Sequence, residues 1–315
     1  MKFLLPAMAL LASVTSPLAL AEDPTWFEVE VAVFTRPDNS GEIWDQDQPV
    51  LTQGNTRDLI GPALLPDLSQ FEAALAECDA NEWLMDPAGC QAREDSATPS
   101  LPSRLPVVAT ADQAGDPLKG QPYLLTSAQL QFNDALSQLN RQRGYKILLH
   151  TGWQMPVYGR RQAQPFALYG GVNFGERFRM DGHLKAPDDE LLSQFNFLTG
   201  FAPSSQGSEA VWQLNGWLRI YLDHFLFIET KLDLREEGER RWSATSLEAD
   251  SAELAADVAV AEESEPFLLT IPLEQNRRVR SREIHYFDHP KMGLIVQIRR
   301  MEQPQPSEAS ASANP

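Results

Sequence analysis

The residues best suited to bind an anion lie in one stretch near the C-terminal end, NRRVRSREIHYFDHPKMG at 276–293. The stretch is rich in arginine, although the whole chain has a formal net charge of −18. If it forms a single strand, Arg278, Arg280 and Arg282 project from one face, and Tyr286 continues that face. Neighbouring guanidinium groups repel one another unless anions lie opposite, and each can bind a carboxylate through two hydrogen bonds. The stretch is therefore a candidate anion-binding site.

The opposing anions could come from a ligand or from the protein itself. With a ligand, a tyrosine could also stack on a sugar ring. The candidate binding residues are then Arg278, Arg280, Arg282, Tyr286 and His289. Without a ligand, acids of a neighbouring strand would pair with the arginines in a structural ladder. The acids considered for this role are Asp223, Glu229 and Asp233. The sequence leaves both interpretations open.

No metal, cofactor or catalytic residue is expected. His285, Asp288 and His289 have the composition of a metal site, but their stretch runs from a strand into a proline turn, so they would not share a face. Asp288 is expected to cap that turn instead. The chain contains no Gly-x-Ser-x-Gly, Ser-x-x-Lys or phosphate-binding motif. Paired glycosidase carboxylates leave no motif, so a hydrolase remains the enzymatic alternative.

The N-terminal segment predicts export. Lys2 is followed by an apolar run, and Ala19 and Ala21 stand at the positions that a signal peptidase reads. Residues 1–21 are therefore expected to be a cleaved signal peptide. The apolar run contains prolines, so we expect a protein that does not span the membrane. The chain has 26 basic and 44 acidic residues, which argues against a nucleic-acid partner.

The only two cysteines, Cys78 and Cys90, are predicted to form a local disulfide. Export favours oxidised thiols, and Asp86, Pro87 and Gly89 can turn the segment between the cysteines back on itself. Such a bridge would fix a local loop rather than the whole fold.

Strand patterns dominate the chain. Polar and apolar residues alternate over 26–34, which predicts a half-buried strand. The longer pattern at 216–236 predicts either one very long strand or two strands bent near His224. A helix is expected between Thr126 and Gly144. The expected fold class is α+β: a mostly antiparallel β-sheet with one or two packed helices. His150, Trp153 and His224 are expected to be structural residues of strands. His224 is also expected to be buried and hydrogen-bonded.

A single domain is expected to cover residues 22–301. An irregular, variable insertion at 36–120 follows the first strand and contains one predicted helix around residues 65–78. Residues 246–266 are acidic and alanine-rich, which predicts a disordered loop or an isolated helix. Residues 302–315 predict a disordered tail. The opposite charges of the acidic loop and the arginines suggest the further hypothesis that the loop covers them.

Four segments together resemble the CsiV family of exported peptidoglycan-binding proteins. They are WFEVEVAVF at 26–34, YKILLHTGWQMPV at 145–157, GWLRIYLDHFLFIETKLDL at 216–234 and RRVRSREIHYFDHPKMGLIVQI at 277–298. The resemblance implies a non-enzymatic periplasmic protein of a Gram-negative cell that binds peptidoglycan. It further implies support of a class A penicillin-binding protein through that synthase's outer-membrane lipoprotein activator. A protein-docking module without direct wall binding and a peptidoglycan hydrolase are the alternatives.

Overall fold

The structure is a computed structural model that describes residues 24–37, 41–42, 54–64, 80–90, 101–185, 210–243 and 262–304. The strands in these ranges are β1 (Thr25–Thr35), β2 (Val108–Ala109), β3 (Tyr123–Leu124), β4 (Lys146–Val157), β5 (Phe166–Asn173), β6 (Trp212–Asp223), β7 (Phe225–Ser243), β8 (Glu262–Val279), β9 (Ile284–Asp288) and β10 (Met292–Arg300). The α-helices are α1 (Gly61–Leu64), α2 (Ala80–Met85) and α3 (Asn133–Asn140), and 3-10 turns occur at Pro117–Lys119 and Ser127–Gln129.

The strands form two sheets. The first sheet has the order β2-β4-β1-β10-β9, with β3 also paired to β4, and the second sheet has the order β5-β6-β7-β8. The pairings within both sheets are antiparallel, except that β2 runs parallel to β4. One hydrophobic core contains side chains of both sheets, so the sheets pack face to face as a sandwich. The α+β class and the mostly antiparallel pairing are confirmed, whereas the single expected sheet is in fact two.

Strand β1 lies in the middle of the first sheet and is buried on both faces. Val29, Val31 and Val33 belong to the core between the sheets. On the opposite face Phe34 packs against α3, and Glu30 is fully buried. The prediction of a half-buried strand is therefore wrong for one face, because α3 and the segment before it cover the outer side of the sheet.

The long alternating pattern forms a hairpin of two strands, β6 and β7. Leu222 pairs with Leu226 and Asp223 with Phe225, and His224 occupies the turn with a positive φ of 56°. The two-strand alternative is correct, although the chain reverses direction rather than bending. His224 is exposed, so the prediction of a buried histidine is wrong, because this residue lies at the apex of the turn and not in a strand.

The described parts of the 36–120 segment help to close the sandwich. Ile60 and Leu105 are buried in the core between the sheets, and β2 extends the first sheet. The backbone N–H of Leu105 donates to the oxygen of Gly171 on β5 (3.0 Å). The segment therefore connects the β5 edge of the second sheet with the first sheet, and the core depends on it.

The helix expected between Thr126 and Gly144 is shorter than predicted. A 3-10 turn comes first, and Oε1 of Gln129 accepts a hydrogen bond from the backbone N–H of Thr126 (2.9 Å). Helix α3 then follows, with Leu136 buried against the first sheet. Beyond the helix, Gly144 has a left-handed backbone with φ 87°.

Several expectations concern residues outside the described ranges: the signal peptide at 1–21, the helix around 65–78 and the tail beyond residue 304. Of the acidic segment, Glu262–Pro266 belongs to β8, and the remainder lies outside. No helix in the described part of the chain is long and apolar enough to cross a membrane.

The predicted disulfide also falls partly outside the described ranges, because Cys78 lies there. Cys90 is fully buried, and no described cysteine is a free thiol. The pairing of Cys78 with Cys90 stays a prediction.

Candidate functional site

The basic stretch joins the two sheets instead of forming one strand. Strand β8 of the second sheet ends at Val279, and β9 of the first sheet begins at Ile284. In the connection, Arg282 has a positive φ of 72°, and its N–H donates to the backbone oxygen of Ile298 (2.7 Å). Because this turn interrupts the two-residue period, the prediction that three arginines share one strand face with Tyr286 is wrong.

The three predicted arginines have different surroundings. The guanidinium group of Arg278 lies 4.5 Å from the ring centroid of Phe225, which is a cation–π contact. Arg280 lies 3.6 Å from the carboxylate of Glu283, and the Arg280 side chain is 76% exposed, so this ion pair contributes little. Arg282 is exposed in the turn.

The structural ladder considered as the alternative does not form among the described residues. Glu229, one of its proposed acids, pairs with Arg219 and lies 3.8 Å from Arg160. Neither Arg278 nor Arg282 forms an ion pair with a described acid. These arginines can therefore bind an anion from outside the protein.

Tyr286 lies in the middle of β9, and its side chain contacts groups other than the three predicted arginines. Its ring stacks on Phe34, with centroids 6.3 Å apart and an interplanar angle of 3°. Its hydroxyl accepts a hydrogen bond from Nη1 of Arg36 (3.3 Å). Partial burial and the neighbouring carboxylate of Asp288 raise the pKa of Tyr286 to about 12. One face of this ring is thus occupied, which leaves less of it for the predicted stacking on a sugar.

The turn after β9 is held by groups other than those expected. Asp288 pairs with Arg36 at 2.5 Å rather than capping the turn. Nδ1 of His289 accepts a hydrogen bond from the backbone N–H of Lys291 (3.2 Å). Strand β9 spans roughly 13 Å, so the structure separates His289 from the arginine turn, while Tyr286 lies in the middle of the strand. The five predicted binding residues therefore do not form a single site.

An open groove lies at the end of the sandwich where β1 begins and β8 and β10 end. Its volume is about 610 Å³. We call it the end groove. Its buried floor consists of Phe27, Leu226 and Val279, and its exposed rim consists of Phe225, Arg280 and Arg300. No acidic residue lines it among the residues that the structure describes, although the chain has 44 acids. The end groove therefore suits an anionic ligand with an apolar part.

A row of aromatic rings and arginines lies beside the end groove, on the outer face of the second sheet. Tyr221 stacks on Phe227 with centroids 5.1 Å apart, and Arg160 lies 5.6 Å from the Tyr221 centroid. Phe227 pairs across the strands with Arg278, which in turn contacts Phe225. The rings position Arg278 without neutralising its charge.

A second polar cluster is buried beneath α3. The Glu30 carboxylate accepts hydrogen bonds from Nε2 of His150 (2.9 Å) and Nη1 of Arg299 (2.5 Å). It also accepts from the backbone N–H groups of Gln131 and Phe132 before the helix. Burial alone would raise the pKa of Glu30, but these hydrogen bonds outweigh it and hold the pKa at about 2. The cluster attaches the helix to the sheet, which is a structural role.

The hypothesis that the acidic loop covers the arginines stays a prediction, because most of this loop lies outside the described residues. Residues 244–261 connect Ser243 to Glu262 at the far end of the β7–β8 hairpin. Arg278 pairs with Phe227, which lies roughly 50 Å along β7 from Ser243.

Of the six residues that define the end groove, sequence reasoning assigned only Arg280 to a binding site, and on the rim it missed Phe225 and Arg300. Phe225 gives a weak signal in the sequence. It is a large apolar residue directly after His224, at a position where the alternating pattern predicts a polar residue. Arg300 carries none, since it becomes part of the groove only through the pairing of β10 with β1. The described residues contain no group of three His, Cys, Asp or Glu side chains that could hold a metal.

The fold and the end groove together define a two-sheet α+β binding protein with a cationic, partly apolar groove. The chain belongs to the CsiV family of peptidoglycan-binding proteins: the family model described as "Peptidoglycan-binding protein, CsiV" matches residues 3–301. No curated protein and no solved structure matches the chain.

Proposed function

We propose that the protein binds peptidoglycan directly through the end groove and the arginines beside it, without catalysing a reaction. The observation that carries the proposal is a groove with exposed arginines and no acidic side chain among the described residues that line it, in a chain of formal net charge −18. Such a local reversal of charge attracts anions. The stem peptides of peptidoglycan carry carboxylates, and the family is described by its binding to this polymer.

The cellular role proposed with this activity is that of an accessory protein in cell-wall synthesis. The protein is exported to the periplasm of a Gram-negative cell by a signal peptide at 1–21. There it supports a class A penicillin-binding protein through that synthase's outer-membrane lipoprotein activator. This part of the proposal is supported by the family resemblance. If the groove instead accepts an acidic partner protein, the protein is a docking module.

Sedimentation separates these functions. The processed protein is mixed with purified sacculi in the absence of any other protein, and the pellet and the soluble fraction are analysed. A direct binder pellets with the sacculi and releases no soluble muropeptides. A docking module stays in solution, and a hydrolase releases muropeptides, so either result contradicts the proposal.

A further inference from the structure

Peptidoglycan offers two chemically different parts, the sugar chain and the stem peptide. We infer that the end groove binds the carboxyl-terminal end of a stem peptide, meaning a short segment of small apolar residues that ends in a free carboxylate. This inference rests on the proposed function and specifies the part of the polymer that the groove recognises.

The first argument is the pair of arginines on the groove rim. Arg280 lies in the connection after β8, whereas Arg300 is the last residue of β10, so the two guanidinium groups approach the groove from different walls. Among the described residues the guanidinium group of Arg280 has only the long contact with Glu283, and Arg300 is exposed without an ion pair to a described acid. A terminal carboxylate has the planar shape and the charge that guanidinium groups bind with paired hydrogen bonds.

The second argument is the apolar floor. Phe27, Leu226 and Val279 are buried side chains that line the groove, and Phe225 rises beside them at 53% exposure. A floor of this kind gains free energy by covering methyl-sized groups. A carboxylate directly next to small alkyl side chains, as in a peptide ending in alanine, matches both the rim and the floor.

The charged rim favours an anion over a sugar ligand, although Thr25, Ser281 and His224 also line the groove and can both donate and accept hydrogen bonds. Sugar hydroxyls need donors and acceptors together, which amide and carboxylate side chains supply. The one amide side chain that lines the groove, Gln303, is already bonded: Oε1 accepts from the N–H of Trp26 (2.8 Å), and Nε2 donates to the backbone oxygens of Trp26 (3.1 Å) and Met301 (3.0 Å). Guanidinium groups donate only.

The test uses the processed protein and one short peptide, N-acetyl-Lys-D-Ala-D-Ala, as the free acid and as the C-terminal amide, by isothermal titration calorimetry. The wild type should bind the acid and bind the amide at least about tenfold more weakly, because the amide lacks the charge that strengthens these hydrogen bonds. Arg280→Ala with Arg300→Ala should abolish binding of the acid. Arg161→Ala is the control, since Arg161 is an exposed arginine in the loop after β4 that does not line the groove.

Equal binding of the acid and the amide would overturn the inference without any variant. If the peptide does not bind but the protein still pellets with sacculi, the inference is also overturned, whereas the proposed function remains in place. Protein that does not pellet with sacculi would contradict the proposed function itself.

Discussion

Arg280 and Arg300 line the same groove although they belong to different sheets. Arg280 follows the last strand of the second sheet, and Arg300 ends a strand of the first sheet. Only the connection at 280–283 brings them together, because it carries the chain from one sheet to the other. The groove is therefore a product of the sandwich and not of a single strand.

The rim residue Phe225 should matter for binding more than for stability. Its ring is 53% exposed and contacts Arg278, and such contacts contribute about 0.5 to 1 kcal/mol at exposed sites. Phe225→Ala should weaken binding to sacculi several-fold and change the free energy of unfolding by less than about 1 kcal/mol. Ile284→Ala, which removes a 61% exposed side chain outside the groove, is the matched control. Equal binding by both variants would contradict the role of the ring.

Glu30 should be required for a stable attachment of α3. Glu30→Gln removes the charge that Arg299 and His150 face in a buried site. We expect a loss of about 3 kcal/mol in the free energy of unfolding at neutral pH, measured by urea titration. Glu283→Gln, at an exposed position, should have little effect. A loss of the same small size in both variants would show that the buried carboxylate is dispensable.

The same carboxylate should make stability depend on acid pH. The pKa of Glu30 is about 2 in the folded protein, against an ordinary value of 4.5, so the folded state favours the ionised form. Its contribution is fully present above pH 4.5 and is lost as the pH falls toward 2. The difference in unfolding free energy between wild type and Glu30→Gln should therefore shrink over this interval. A difference that is constant with pH would refute the assignment.

Tyr286 should ionise at a higher pH than an ordinary tyrosine. Burial and Asp288 raise its pKa from 10.0 to about 12, because both disfavour the phenolate. The absorbance change on alkaline titration, taken as wild type minus Tyr286→Phe, isolates this residue. Asp288→Asn should move the midpoint back toward 10. A midpoint near 10 in the wild type would show that the phenol is solvated.

The predicted disulfide between Cys78 and Cys90 is tested by mass spectrometry. Protein purified without reductant after export should resist thiol alkylation until it is reduced, and a peptic digest should contain the two cysteines in one linked fragment. Replacement of both by serine should cost about 2 to 4 kcal/mol. Alkylation of the unreduced, unfolded protein would rule out the bridge.

Sequence patterns predicted the strands of the sandwich well where the pattern reflects burial. The hairpin around His224 shows this, because both of its strands keep apolar residues on one face. The second buried face of β1 escaped prediction, since Glu28 and Glu30 look like solvent-facing residues until Arg299 is placed beside them. Charge pairs between distant strands have no local signal.

The candidate site was predicted only in part, for a similar reason. Of the arginines at 277–282, Arg280 alone lines the end groove, and the strand period could not show that Arg282 has a positive φ and turns the chain into another sheet. Tyr286 was included because the strand period placed it on the face of the arginines, and His289 belongs to the same stretch, whereas the structure puts Tyr286 in the middle of β9 and His289 beyond its end. Residues that approach through tertiary contacts, such as Arg300, require the fold.

The most direct test of the account is sedimentation of a charge-reversed protein with sacculi. Arg280→Glu with Arg300→Glu places negative charge on the groove rim, and the fold is checked by circular dichroism and urea unfolding. The control variant carries Arg161→Glu with Lys231→Glu, two exchanges outside the groove. We predict that the wild type pellets with sacculi and that the control variant pellets nearly as well. The groove variant should stay in solution. Equal pelleting by all three folded proteins would contradict the assignment of peptidoglycan binding to the end groove.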